Sequence, residues 1–222
     1  MPWIPDAEPT GVPLGATPVE AVFIGASTGG PAAVEQVLRE LPATFPAPIA
    51  VCQHMSPGFT RLWAERLDGA CELSVSEARF GEELLPGRVY IAPIGKHMRV
   101  EDREGVHTVR LDRDFADSLH VPSIDIFMSS AAQAYGSRAL GVLLTGLGAD
   151  GALGMLAIRR AGGYTLCQSE DSAVAPSMPS AAKQLHAVAE ECSIERMAHA
   201  IARRVSGRQT APKGRYGEGF SR

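Results

Sequence analysis

Val22-Phe23-Ile24-Gly25-Ala26-Ser27-Thr28-Gly29-Gly30-Pro31 joins a short apolar run to a segment that opens on proline and continues with Val34, Val37, Leu38 and Leu41 at helical spacing. The run, the glycine-rich turn and the proline at the first helical position predict a strand, a tight turn and a helix. Ser27 stands in that turn. Its hydroxyl would be lifted above the sheet, where unpaired N–H groups at the start of the helix can stabilise a developing oxyanion. Two chemical templates fit the same residues. Gly25 to Gly29 satisfies the G-x-S-x-G nucleophile elbow, and Gly25 to Gly30 is a dinucleotide-binding G-x-G-x-x-G loop with serine at its middle glycine. The dinucleotide template also asks for an acidic residue after the next strand. Here Ile49-Ala50-Val51-Cys52 ends in Gln53-His54 instead. A third reading makes Ser27 a helix cap with no chemical role.

Working outward, Pro46-Ala47-Pro48 punctuates the chain before Ile49 and completes a βαβ unit. A second helix is expected with Phe59, Leu62, Trp63 and Leu67 on one face, Trp63 being a core aromatic. From Leu73 to Leu111 the pattern changes to short alternating runs, Arg88–Ile91, Met98–Val100 and Thr108–Leu111, which predict an antiparallel excursion at one edge of the sheet. Ile124, Phe127, Met128, Ala131 and Tyr135 form a helical stripe capped by Ser123. Leu140-Gly141-Val142-Leu143-Leu144 reads as a central parallel strand that runs into Thr145-Gly146-Leu147-Gly148-Ala149-Asp150-Gly151. A helix through Met155 and Ile158, a strand Tyr164–Cys167 and two further helical segments follow. The fold class expected is a three-layer α/β domain with a mainly parallel, doubly wound sheet and an antiparallel edge excursion. Residues 1–19 read as an irregular proline-rich leader, 20–205 as the folded domain and 206–222 as a disordered polar tail.

The 222 residues suit one α/β domain with a full core. A hydrophobic content of 45%, a charged content of 21% and a formal net charge of −4 give a globular chain without the electrostatic footprint of a nucleic-acid binder. Cys52, Cys71, Cys167 and Cys192 show no C-x-x-C spacing, which suits reduced thiols in a cytoplasm. The N-terminus lacks the pattern of a signal peptide, and no stretch reaches the roughly 20 apolar residues needed to cross a bilayer. The expectation is a cytoplasmic protein with no direct membrane insertion.

In an open parallel sheet, functional groups gather beyond the carboxyl ends of the strands, near the point where strand order reverses. Three such ends carry Ser27, His54 and Asp150. Serine needs a base whose pKa lies near the working pH, and that base needs a carboxylate to hold its tautomer. A lone histidine at a strand end can equally be structural. His186 and His199 fall in helical segments and read as surface residues, while His97, His107 and His120 lie in the antiparallel and loop region and are assigned no catalytic role.

The GASTGG run Gly25–Gly30, Gln53-His54-Met55 with Pro57-Gly58-Phe59-Thr60, Ile91-Ala92-Pro93 with Lys96-His97-Met98, Pro122-Ser123-Ile124-Asp125, TGLGADG at Thr145–Gly151, and Met178-Pro179 together resemble the catalytic domain of the CheB-type protein-glutamate methylesterases. The likeness runs from about Ala21 to Val205. It implies Ser27 as nucleophile, His54 as general base, Asp150 as its orienting carboxylate, and an oxyanion site of backbone N–H groups near Thr28 and Leu147. It also implies hydrolysis of glutamate γ-methyl esters on the cytoplasmic helices of methylated chemoreceptors, with glutamine deamidation as a second activity and no metal or organic cofactor. Leu147 stands where the family usually has methionine, and Val121 where it usually has a basic residue. Full-length members carry an N-terminal receiver domain of about 120 residues, which the short leader cannot contain, so phosphorylation control within this chain is expected to be absent. The sequence leaves room for a separate regulatory protein in its place. Rival readings are an esterase of small-molecule esters, a dinucleotide-binding oxidoreductase, and a receptor-binding module without catalysis.

Overall fold

The Val22–Ile24 run lies in the first strand, β1 (Ala21–Ala26), buried along its whole length. The computed structural model describes residues 17–56, 58–113 and 119–206. The expectations for residues 1–16 and 207–222 fall outside that range. From β1 the chain continues through α1 (Gly30–Arg39), β2 (Ile49–Gln53), α2 (Thr60–Ala70), β3 (Ser74–Glu77) and β4 (Arg88–Ile91). It then forms β5 (His97–Arg103), β6 (Val106–Asp112), α3 (Ile124–Tyr135), β7 (Ala139–Leu143), α4 (Ala152–Arg160), β8 (Tyr164–Gln168), α5 (Ser177–Gln184), β9 (Glu190–Cys192) and α6 (Ile194–Val205).

Among the described residues, seven strands form one sheet in the order β3-β4-β2-β1-β7-β8-β9, and all six pairings are parallel. Strands buried on both faces can be apolar throughout, which is why β1, β2, β7 and β8 lack alternation in their sequence. The period-2 geometry still sorts side chains. Val22 and Ile24 join a core with α1, α2 and α6, whereas Ala21 and Phe23 join the opposite core with α3, α4 and α5. This is the three-layer, doubly wound arrangement expected.

The antiparallel excursion is present as a separate two-stranded sheet of β5 and β6, joined to the segment before β4 by a Glu83–Thr108 bridge. The Arg88–Ile91 run belongs to the main sheet as β4, and β3 and β9 are short strands whose sequences carry too little pattern to announce them. On α2, Trp63 and Leu67 are buried as expected, but Phe59 and Leu62 are 57% and 62% exposed. The buried stripe runs through Thr60, Ala64 and Leu67, so the helix is rotated relative to the face read from its largest side chains.

Strand order reverses between β1 and β7: the chain fills the sheet outward from β1 on one side, then starts again at β7 on the other. The ends of β1, β2 and β7 therefore open onto one crevice.

Candidate active site

Ser27 follows β1 in a turn held from both sides. Its N–H donates to the Thr145 carbonyl at 3.0 Å, and its carbonyl accepts from Gly30 N–H at 2.8 Å. Gly29 adopts φ +79° and is the N-cap of α1, with no side-chain cap bond. Ser27 therefore does not serve as the helix cap. A β-carbon on Gly146 would lie 2.8 Å from Ser27 Cβ and 2.0 Å from Met178 Sδ. Glycine is required there because the loop after β7 presses its backbone directly against the serine.

Gln53, buried at the end of β2, ties two of the crevice loops together. Its Nε2 donates to the carbonyls of both Ser27 and His54 at 2.8 Å. His54 N–H donates in turn to the Ala26 carbonyl at 3.1 Å. One wall of a cavity of about 570 Å³ is thus formed by Ser27, Thr28, Gln53, His54 and Phe59.

Asp150 lies across the crevice, and its Oδ2 accepts from His54 Nε2 at 2.8 Å. The same carboxylate accepts Ile124 N–H at 2.8 Å, Asp125 N–H at 2.9 Å and the Ser123 hydroxyl at 3.0 Å. It therefore caps α3 through two N–H groups that the helix leaves unpaired at its start, and takes a third bond from the hydroxyl of the N-cap Ser123. Burial would raise the Asp150 carboxyl, but the His54 hydrogen bond and the two backbone N–H groups outweigh it and hold the group below the usual carboxylate range. Asp150 stays ionised. Holding the Nε2 proton of His54 leaves Nδ1 as the basic nitrogen, and Nδ1 is buried with no hydrogen-bond partner among the described residues.

Asp125 does for α4 what Asp150 does for α3. Its Oδ1 accepts Gly151 N–H and Gly154 N–H, both at 2.8 Å. Burial and the nearby Asp150 charge push its carboxyl up to about 6, against the lowering effect of those bonds. Sequence reasoning placed Asp125 in a motif without giving it work. Its signal was an acidic residue in the first turn of a helix, which commonly acts on its own helix rather than on a neighbour.

The structure brings Ser27, His54, Asp150, Thr28 and Leu147 to the same end of the sheet. Among the described residues, the N–H groups of Ser27, Gly30, Gly146 and Gly148 all donate to protein acceptors, whereas those of Thr28 and Leu147 donate to none. No hydrogen bond joins the Ser27 hydroxyl to His54 among the described residues. Such contacts commonly tighten only with substrate bound. The Cys52 thiol is pushed well above its usual range by burial and by the Asp150 charge, which keeps it in the unreactive thiol form. His199 lies exposed on α6 as read from sequence, whereas His186, read as helical, stands exposed in the turn after α5 with φ +54°. His97 and His120, given no role, do reach the site: Ser123 N–H donates to His97 Nδ1 at 3.1 Å, and the His120 ring stacks on His54. Among the described residues no group of histidine, cysteine, aspartate and glutamate is arranged to hold a metal ion.

The CheB methylesterase family model matches residues 22–201. The chain belongs to that family. A Nitratidesulfovibrio vulgaris protein named protein-glutamate methylesterase/protein-glutamine glutaminase 2 is 48% identical over 182 residues, covering 82% of this chain and 50% of that protein. A Pseudomonas aeruginosa protein of the same name is 47% identical over 190 residues, covering 84% and 54%. The crystal structure of the Thermotoga maritima CheB methylesterase catalytic domain matches with a TM-score of 0.81 at 35% identity, covering 84% of this chain and 98% of that one. This CheB-family chain spans about half the length of the curated relatives it matches. Among its described residues, no helix is long and apolar enough to cross a membrane.

Proposed function

We propose that this chain hydrolyses glutamate γ-methyl esters on the cytoplasmic helices of chemoreceptors, and deamidates selected glutamines, through a triad of Ser27, His54 and Asp150. The observation that carries the reading is the 2.8 Å bond from His54 Nε2 to Asp150, which leaves Nδ1 without a partner among the described residues on a histidine that lines the same cavity as Ser27. Ser27 Oγ attacks the γ-carbonyl carbon while His54 Nδ1 takes its proton. The unpaired N–H groups of Thr28 and Leu147 receive the oxyanion. Collapse of the tetrahedral intermediate breaks the bond to methoxide, which leaves as methanol with the proton from His54. Water then attacks the acyl-serine with His54 again as base, releasing the glutamate carboxylate and restoring Ser27. For glutamine the leaving group is ammonia. Domain limits of 20–205 and a cytoplasmic location accord with this reading, which calls on no metal or organic cofactor.

Release of methanol from radiolabelled methylated receptor membranes tests the reading. Ser27→Ala should lose about 10⁴- to 10⁶-fold in rate with an unchanged circular dichroism spectrum, because triad members act as a unit. Retention of activity in Ser27→Ala would remove the mechanism, and equal turnover of small free methyl esters would favour the small-molecule esterase.

A further inference from the structure

We infer that His120 is a positioning residue that fixes the plane of the His54 ring. The inference rests on the reading of His54 as general base. The two rings are stacked, with centroids 4.2 Å apart and planes inclined by 21°.

The physical need arises from how His54 is held. Among the described residues its ring has one hydrogen bond, Nε2 to Asp150, and its side chain is 12% exposed. One hydrogen bond at one edge of the ring does not by itself fix the ring plane: torsion about Cα–Cβ and Cβ–Cγ can tilt the ring while Nε2 stays within reach of Oδ2, and Nδ1 then moves relative to the nucleophile. A flat partner on one face removes that freedom and covers that face from water. Transfer of a proton between Ser27 Oγ and Nδ1 tolerates little misalignment, so the loss of orientation appears in the chemical step.

His120 sits on a segment able to do this. Within three residues of it, Val121 accepts Gly95 N–H at 3.3 Å, and Ser123 is bound through N–H to His97 Nδ1 and through its hydroxyl to Asp150 Oδ1. The ring that stacks on the base and the hydroxyl that helps hold the acid therefore come from one short stretch, anchored to the β4–β5 connection. Ring plane and carboxylate position are set together.

The test uses the full chain with His120→Ala and His120→Phe. His120→Ala should lower kcat for methanol release from methylated receptor membranes by about 3- to 10-fold, the range that corresponds to one aromatic pair. KM should stay within about twofold. His120→Phe, which keeps a flat ring but no titratable nitrogen, should restore kcat to within about twofold of the wild type. Histidine-ring NMR supplies a readout independent of turnover. The His54 Cε1–H resonance, identified by its loss in His54→Gln, should move in His120→Ala and stay near the wild-type position in His120→Phe. An unchanged kcat in His120→Ala, a Phe variant as slow as the Ala variant, or an unmoved His54 resonance would overturn the inference. If the wild type releases no methanol, the methylesterase reading fails and the NMR result alone decides whether the stack positions His54.

Discussion

Asp150 carries more at the residue scale than a catalytic carboxylate requires. Its two oxygens accept four bonds, one from His54 and three from the start of α3. An amide can accept through one oxygen only, so Asp150→Asn must present its NH2 group either to the helix or to His54. Facing His54, it would reverse the tautomer and put a proton on Nδ1, the atom that accepts the Ser27 proton in the proposed mechanism. The expected outcome is a folded protein whose kcat falls by about 10³- to 10⁴-fold, read from methanol release beside circular dichroism. A loss under tenfold would show that the Asp150 charge does little for the base. Ser27, by contrast, contributes little packing of its own; Gly146 makes room beside it, and Gln53 ties its carbonyl to that of His54.

At the element scale, α3 and α4 exchange caps. Asp150, just before α4, caps α3, and Asp125, in the first turn of α3, caps α4. The exchange brings two carboxylates together, and the Asp125 carboxyl, pushed up to about 6, carries the cost. A carboxyl raised above its unfolded value binds its proton more tightly in the fold, so unfolding free energy falls as pH rises from about 4 to about 6. The lowered Asp150 carboxyl acts in the opposite sense and at lower pH: its contribution is present above the unfolded value and is lost as pH falls through the folded one. Asp125→Asn keeps an oxygen for Gly151 and Gly154 while removing the charge. Denaturant unfolding from pH 4 to pH 7 should therefore show a slope for the wild type, on the order of 2–3 kcal/mol in total, that is flattened in Asp125→Asn. Parallel profiles for the two proteins would rule out Asp125 as the titrating group.

On the scale of the whole molecule, the reversal of strand order at β1 and β7 gathers the three loop ends, and the rim of their crevice is apolar. Phe59 lines the cavity, and Leu147 and Val174 are exposed beside the turn at Ser27 and Gly29. Exposed apolar side chains around an open polar site suit a protein surface better than a small solute. Phe59→Ser should raise KM for methylated receptor membranes by about 5-fold or more, as expected for an interfacial aromatic. Turnover of a small free methyl ester should stay within about twofold. Equal effects on both substrates would place Phe59 in the chemistry instead.

The amino-acid sequence by itself determined the strand-turn-helix at Ser27, because glycine at fixed offsets and Pro31 are local instructions that no distant contact need supply. It likewise determined that β2, β7 and β8 are strands, and the apolar run of β7 placed that strand at the centre of a parallel sheet. Only the tertiary structure decided which face of α2 is buried, since Phe59 and Leu62 are as apolar as the residues that turn inward. It decided that Arg88–Ile91 joins the parallel sheet, because a four-residue run carries no record of its neighbours. The same holds for Asp125 and His120. A carboxylate that caps another helix and a ring that stacks on another ring have no local period or spacing; their roles exist only once α3, α4 and the ends of β1 and β2 have been brought to one crevice.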